Sequence, residues 1–508
     1  MKHLLSARSA RANDHYTINT VGIGEQELIL RVAHSAMDTL VQGGYDISAP
    51  CIVCGHGNNG ADGLALAILL DRIGCSVTVV YAGKQNANDE PDADAMSASC
   101  KVFYEQAVKE GVPILCHTLP EKTSVLVDAI FGIGLHGRID PVICDLIEAM
   151  NQSSAPILAI DIPSGVYADT GETAQIAVCA AQTVTVQSDK PGLNIYPGAM
   201  HAGKITVADV GIEPAPDCPA PLFYALEQED LVDLLPTRPD RSHKGTFGRV
   251  LLITGSVGMA GAAYMAAMGA FRSGAGLVEI FTHEQNRTIL QQLIPEAILS
   301  CYTDAEQLTP TLGASISRAD AIVLGCGLGR SELSQKAVER TLASANAPLV
   351  LDADALNIIA ARPDLLKHLD SAQKAQTVMT PHAAEAARLL GCSVDDVSDH
   401  ACSTAQALTE QYGTCVLLKD AHSLIYAHDA GTRYVNLVGS TALSTAGSGD
   451  ILAGVIGGLA AAKTNKQPMH VTAALAAYLH GLAGQRAEQS VGARAAMARD
   501  ILNGLLNE

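Results

Sequence analysis

The chain of 508 residues has no tryptophan, six phenylalanines and thirteen tyrosines. Set against 45 glycines, that scarcity argues for many tight strand-to-helix turns and against an aromatic-rich sandwich. Positive charge is also scarce. Lysine and arginine total 33 against 53 acidic residues, a net charge of −20, which excludes nucleic acid as an expected partner. No uninterrupted apolar run reaches the roughly 18 residues of a membrane span. The segment Val455–Ala462 comes nearest, but Gly457 and Gly458 break it and Lys463 ends it. Met1–His15 lacks the apolar core of a secretory signal, so a soluble, cytoplasmic protein without membrane contact is expected. Paired cysteines are missing too. The thirteen cysteines are odd in number and scattered, as in a reducing compartment. Cys51 and Cys54 form a single Cys-x-x-Cys on an apparent strand, and no second pair completes a zinc site.

What the chain does have is apolar bulk: 48% hydrophobic against 17% charged residues, enough for two or three domains. From Ala49 to about Gly211, strand-like runs alternate with helical patterns. Cys51–Cys54, Ser76–Tyr81, Ser124–Ala129, Ile157–Asp161 and Thr183–Gln187 read as buried strands, Ala61–Ile73 as a helix, and Gly24–Val41 as a helix ahead of them. Four prolines within Glu213–Pro221 break the pattern. It restarts with Val250–Thr254, Gly261–Ser273, Leu277–Thr282, Ala321–Leu324, Leu349–Asp352, Thr377–Thr380 and Cys415–Leu418. Long helices at about Gly449–Ala462 and Val471–Glu488 close it. The expectation is α/β throughout: a Rossmann-like three-layer domain over residues 1–212, a Pro-rich linker over 213–227, and a second three-layer α/β domain over 228–508.

Three strand ends of the first domain carry chemistry. Gly-His-Gly-Asn-Asn-Gly-Ala-Asp-Gly at residues 55–63 turns from a strand into a helix, gathering backbone N–H groups where the helix dipole favours an anion. Asp128-Ala-Ile-Phe-Gly-Ile-Gly-Leu135 and Asp161-Ile-Pro-Ser-Gly165 follow two further strands. An Asp at one strand end is often only a helix cap; three polar loops at one sheet edge make a site.

These motifs resemble the NAD(P)HX epimerase (YjeF N-terminal) family, which acts on hydrated NADH and NADPH. The resemblance implies that Asn59, Asp128 and Ser164 hold a potassium ion. It implies substrate contacts at Asn58, Asn59, Gly60, Ala61 and Asp62, at Gly132, Ile133, Gly134, Leu135, His136, Gly137 and Arg138, and at Asp161. Inversion at carbon six of the hydrated ring calls for proton exchange, and Asp161 is the candidate general acid/base. Two departures stand out: Ala61 where the family usually has Gly, and Leu30-Arg31-Val32-Ala33 in place of Glu-Arg-Ala-Gly. A methyl at position 61 is a modest change on a helical backbone and a severe one at positive φ.

In the second domain Thr445-Ala-Gly-Ser-Gly-Asp450 opens an apolar helix. Such a turn offers amides to a phosphate and a carboxylate to a hydroxyl, a pattern similar to the ribokinase-like superfamily. Lys244–Gly248, Gly255-Ser256 with Gly261-Ala262, Gly325–Gly329, Asp352–Asn357, Thr380–His382 with Glu385, and Lys419 follow the order of the NAD(P)HX dehydratase family. By that resemblance Ala262, Gly327, His382 and Asp450 contact substrate, and Asp450 is the catalytic base. Lys419, Asp420, Ala421, His422, Ser423 and Gly449 contact the nucleotide cofactor. The implied cofactor is ADP, with ATP in some members, and magnesium commonly accompanies the transfer. His382 and Glu385 also suit plain helix caps. Cys326, Ala384, Ser448 and Asp420 replace Pro, Gly, Thr and Gly of the family pattern.

Together the resemblances imply a fused enzyme, expected to be a homo-oligomer, that epimerises hydrated NAD(P)H and dehydrates its S form. One alternative is a ribokinase-like kinase for a small alcohol, with a non-catalytic ligand-binding module ahead of it.

Overall fold

The computed structural model describes residues 1–428 and 431–505. The chain divides into two compact units, His3–Phe223 and Tyr224–Glu508 together with Met1–Lys2.

The first unit carries seven strands, all parallel: β1 Pro50–Cys54, β2 Thr78–Tyr81, β3 Ile114–Cys116, β4 Val125–Ala129, β5 Ile157–Ile160, β6 Gln182–Val186 and β7 Lys204–Ala208. Their order is β3-β2-β1-β4-β5-β6-β7. Winding therefore reverses between β1 and β4, and a doubly wound sheet opens its ligand crevice at that reversal. Helix α1 spans Ala7–Tyr16 and α2 spans Glu25–Gln42. In α2, Leu28, Ile29, Val32, Ala33, Ala36 and Leu40 are buried at helical spacing, so the altered Leu30–Ala33 stretch contributes core packing.

Helix α3, Asn58–Arg72, follows β1 directly. Its start is pressed against the strand end. A Cβ on Gly60 would lie 2.0 Å from the Gly55 carbonyl oxygen, and one on Gly63 would lie 2.8 Å from Cys54 Sγ. The proline-rich stretch has no regular structure, yet it is docked on α1: Glu213 N donates to Thr17 Oγ1 and Ala215 N to Asn13 Oδ1. A short strand, Phe223–Ala225, lies within the stretch read as linker.

The second unit has β8 Arg249–Ile253, β9 Leu277–His283, β10 Ile298–Tyr302, β11 Ala321–Leu324, β12 Leu349–Leu351, β13 Thr377–Met379, β14 Cys415–Leu418, β15 Leu424–Tyr426 and β16 Arg433–Val435. Through these the order is β10-β9-β8-β11-β12-β13-β14-β15-β16. β8 to β14 are parallel, β15 and β16 join antiparallel, and the reversal falls between β8 and β11. The expected α/β class with two three-layer units is what the chain forms.

Helices α4 Ala260–Arg272 and α6 Ser448–Ala461 pack almost backbone to backbone. A Cβ on Gly454 would lie 2.0 Å from Ala266 O, and one on Gly269 would lie 2.4 Å from Ile451 O. Helix α7, Met469–Val491, is buried along most of its length. Among the described residues no helix is long and apolar enough to cross a membrane, and all thirteen cysteines are free.

The α4–α6 contact yields a test. Gly454→Ala overpacks it and costs about 1–3 kcal/mol, read as a lower urea midpoint for the transition of the second unit.

Candidate active sites

At the β1/β4 reversal of the first unit lies a cavity of about 910 Å³. Asp161 stands just past the end of β5 with φ +69°, a left-handed conformation that Asp tolerates better than most side chains. Its carboxylate is doubly held: Oδ1 accepts from Lys190 Nζ at 2.8 Å and Oδ2 from Ile133 N at 3.0 Å. Lys190 is 1% exposed and its remaining donors go to Thr185 Oγ1 and Val186 O, both at 2.8 Å. Position 132 must be glycine here, because a Cβ would sit 2.6 Å from Asp161 Oδ2.

Asp128, at the end of β4, is fully buried. It accepts from Ser164 Oγ at 2.6 Å, Ser164 N at 2.7 Å and Ile130 N at 3.2 Å. Burial pushes its carboxyl up to about 6, against the pull of those bonds. Both side-chain amide atoms of Asn59 are buried without a partner. Asn58 is occupied, donating to Glu25 Oε1 and accepting from Ser97 Oγ. Asp62 and Asp14 also line the cavity. Burial, then the nearby Asp161 charge, raises Asp62 well above the carboxylate range and takes Asp14 to about 6.

In the second unit, Lys419 at the end of β14 donates to Asp352 Oδ1 at 2.8 Å and lies 3.8 Å from Glu385 Oε2. Thr380 Oγ1 also donates to Asp352 Oδ1, at 2.7 Å. Asp352 Oδ2 meets the Cys326 thiol at 3.6 Å. Cys326, Asp352 and Asp450 bring ligand-type atoms within 4.8 Å of one another. Asp450 lies in the first turn of α6, where burial and then the Asp352 charge push its carboxyl up to about 7. Next to it, Ser448 Oγ bonds His480 Nε2 at 3.1 Å. His480 is buried and held neutral, pushed down to about 4. The left-handed backbone at Gly325 (φ +126°) lets β11 turn beneath Asp352, whose carbonyl oxygen would be 1.9 Å from a Cβ there. Ala353, beside Asp352, is also left-handed at φ +49°.

Two family profiles divide this chain. The one described as YjeF-related protein N-terminus matches residues 25–192, and the one described as NAD(P)H-hydrate dehydratase matches residues 250–506. The chain is 35% identical to the bifunctional NAD(P)H-hydrate repair enzyme Nnr of Coxiella burnetii, over 94% of each chain. It is 31% identical to the Escherichia coli enzyme of that name, over 98% of this chain and 92% of the relative. The chain belongs to the bifunctional NAD(P)H-hydrate repair enzymes. Among solved structures, the ADP/ATP-dependent NAD(P)H-hydrate dehydratase of Bacillus subtilis is 29% identical. It spans 55% of this chain and 95% of its own length, with a TM-score of 0.46.

Within this repair enzyme the expected site residues fall as follows. Asn58, Asn59, Asp62, Gly132–Leu135, His136, Arg138 and Asp161 line the first cavity. Gly60, Ala61 and Gly137 do not: Gly60 and Ala61 are buried in α3, and Gly137 O accepts from Tyr167 Oη. Ala61 is helical and fully buried, so its methyl is the mild case. Ala262 and Gly327 come together, since a Cβ on Gly327 would be 2.7 Å from Ala262 Cβ. His382 caps helix α5, Ala383–Leu390, through Nδ1, while Glu385 caps it in return and lies against Lys419.

Lys419 was expected on the cofactor. Its ammonium is instead committed to Asp352, though it faces the Gly449 position at 3.6 Å. Asp420 turns its carboxylate onto the Ala421 amide of its own exposed loop, where Ser423 Oγ meets the Asp420 backbone. Lys190, Asp14, Asp352, Cys326 and His480 are additions that sequence reasoning left out of the sites. Nothing local marks Lys190 or Asp14, whereas Asp352 sits in a motif that had already been singled out.

Lys190 gives the second test. Lys190→Met strands a buried carboxylate and destabilises the first unit by about 3–5 kcal/mol. Adding Asp161→Asn recovers part of that loss in urea denaturation.

Proposed function

We propose that this chain repairs hydrated nicotinamide nucleotides: the first unit interconverts the R and S epimers of hydrated NADH and NADPH, and the second dehydrates the S epimer at the expense of ADP. The observation that carries the reading is the pairing, in one chain, of a switch-point cavity around Asp161 with a helix-start carboxylate, Asp450, poised near neutrality.

In the second unit the helix start Ala446–Gly449 presents amides and the positive end of a dipole to a phosphoryl group. Asp450 takes the proton of the ring hydroxyl as that oxygen bonds to phosphorus and the nucleotide leaves. The ring nitrogen then expels phosphate from carbon six, and loss of a proton from carbon five restores the double bond. Phosphorylation converts the poorly leaving hydroxyl into a phosphate that leaves readily. Lys419 pairs with Asp352 at 2.8 Å, so the ammonium is directed at that carboxylate rather than at Asp450. Cys326, Asp352 and Asp450 do not suit a resident magnesium ion, which wants oxygen donors, because one donor is a thiol and another already pairs with Lys419. We infer that magnesium arrives with the nucleotide phosphates, and that ADP, or ATP, meets Gly449 and the Lys419–Ser423 loop.

In the first unit the oxygen donors of the unpartnered Asn59 amide, Asp128 and Ser164 suit a potassium ion, whose charge would neutralise nucleotide phosphate. Asn58, Asn59, Asp62, Gly132–His136 and Arg138 form the substrate cradle, with Gly60, Ala61 and Gly137 shaping its backbone from behind, and Asp161 is the proton-exchanging carboxylate.

Incubating the full chain with both epimers of hydrated NADH and ADP should restore NADH from all of the substrate. Recovery from the S epimer alone would refute the epimerase half; a stable phosphorylated product would refute the dehydratase half. Asp450→Asn should slow dehydration about 10²- to 10⁴-fold. Because the Asp450 carboxyl is raised to about 7, its base form is lost as pH falls, so kcat/KM for dehydration should rise with pH through about 7. Replacing potassium with lithium should slow epimerisation and spare dehydration of the S epimer.

A further inference from the structure

Inversion at the hydrated carbon needs two proton-handling groups. The hydroxyl must be protonated as it leaves one face, and water entering the other face must give up a proton. Asp161 is suited to the second task only. Both its oxygens accept hydrogen bonds, from the Lys190 ammonium and the Ile133 amide, so the group offers lone pairs that can take a proton and has no proton of its own to give. All three Lys190 donors are spent, so the ammonium has no freedom to shuttle.

Asp62 stands in contrast. It is more than nine-tenths buried, lines the same cavity, and sits on the helical turn that also carries Asn59. Among the described residues nothing hydrogen-bonds to it and no cation pairs with it. The groups that face it are the carboxylates of Asp161, Asp14 and Glu25 and the thiols of Cys54 and Cys100. The three carboxylates oppose a second negative charge, and the thiols, which burial keeps protonated, supply no cation to offset it. Two neighbouring carboxyl groups with opposed environments divide acid and base roles.

Resting on the epimerase reading above, we propose that Asp62 is the catalytic acid of that reaction, partnered by Asp161 as base. Asp62 gives its proton to the carbon-six oxygen. The C–O bond breaks, water departs with the bonding pair, and the ring-nitrogen lone pair forms a C=N bond. Water then adds to carbon six from the opposite face, the π pair returns to nitrogen, and the proton lost by that water passes to Asp161. Solvent in the cavity carries a proton back from Asp161 to Asp62. Water released equals water consumed, and nothing is oxidised or reduced. Asp14 is the weaker candidate because it is only half-buried and Lys190 acts on it.

The full chain is tested with purified R epimer in ¹⁸O-labelled water, without nucleotide. Wild type should form S epimer carrying solvent oxygen, at a rate that declines toward alkaline pH. Asp62→Asn, nearly isosteric with the protonated acid, should lose about 10²- to 10⁴-fold of that rate. Asp62→Glu should restore part. Epimerisation by Asp62→Asn at the wild-type rate overturns the assignment while leaving the epimerase reading intact. No epimerisation by wild type overturns both. Two wild-type results serve if the variant does not fold: inverted product without solvent oxygen, or a rate flat between about pH 6 and pH 9, overturns the proposal.

Discussion

A buried lysine–aspartate pair stands at the carboxyl edge of each sheet, and the chemistry of both units is arranged around it. Lys190 holds Asp161 and Lys419 holds Asp352. An ion pair taken out of water repays its desolvation only when geometry is good and the remaining donors are satisfied. Lys190 meets that condition through Thr185 and Val186, while Lys419, only partly buried, adds an ion-pair approach to Glu385 at 3.8 Å. Each pair therefore gives one carboxyl group a cation partner. What it leaves over is a second carboxyl in the same site with no cation of its own, Asp62 in the first unit and Asp450 in the second. Burial and the fixed neighbouring charge then raise that second group.

Backbone geometry sets where these pairs lie. In both sheets the winding reverses beside the first strand, and the loops at the reversal bring their functional side chains to one crevice. Close approach is bought with small residues. Gly60 lets α3 begin against β1, Gly132 lets its loop lie over the Asp161 carboxylate, and Gly454 with Gly269 draws α6 onto α4. Left-handed backbone at Asp161 and Ala353 sits immediately at the carboxylates, as strain commonly does at functional sites.

The departures from the family pattern find physical accounts of different kinds. Ala61 lies in helical backbone, where a methyl is tolerated. Leu30–Ala33 contributes Val32 and Ala33 to the core. Asp420 satisfies its carboxylate on its own loop amide, on the surface. Cys326 sits at the carboxylates themselves: its thiol lies against Asp352, and burial keeps it protonated well above its usual range.

The sequence by itself determined the α/β class, most strand and helix positions, and the loops that carry the sites, because hydrophobic period and glycine placement are local properties. Ile114–Cys116, Ile298–Tyr302 and Lys204–Ala208 escaped that reading because they are edge strands with few buried residues, and Leu424–Tyr426 and Arg433–Val435 because they are short antiparallel additions outside the strand–helix alternation. Tertiary structure alone decided the ionisation of the acids. Whether Asp161 is anchored or Asp62 stranded depends on Lys190, 29 residues from Asp161 in sequence. Likewise Lys419 reaches Asp352 across 67 residues, which is what leaves Asp450 without a cation. Charge pairing at these separations has no local signature, since it is the sheet that brings the partners together.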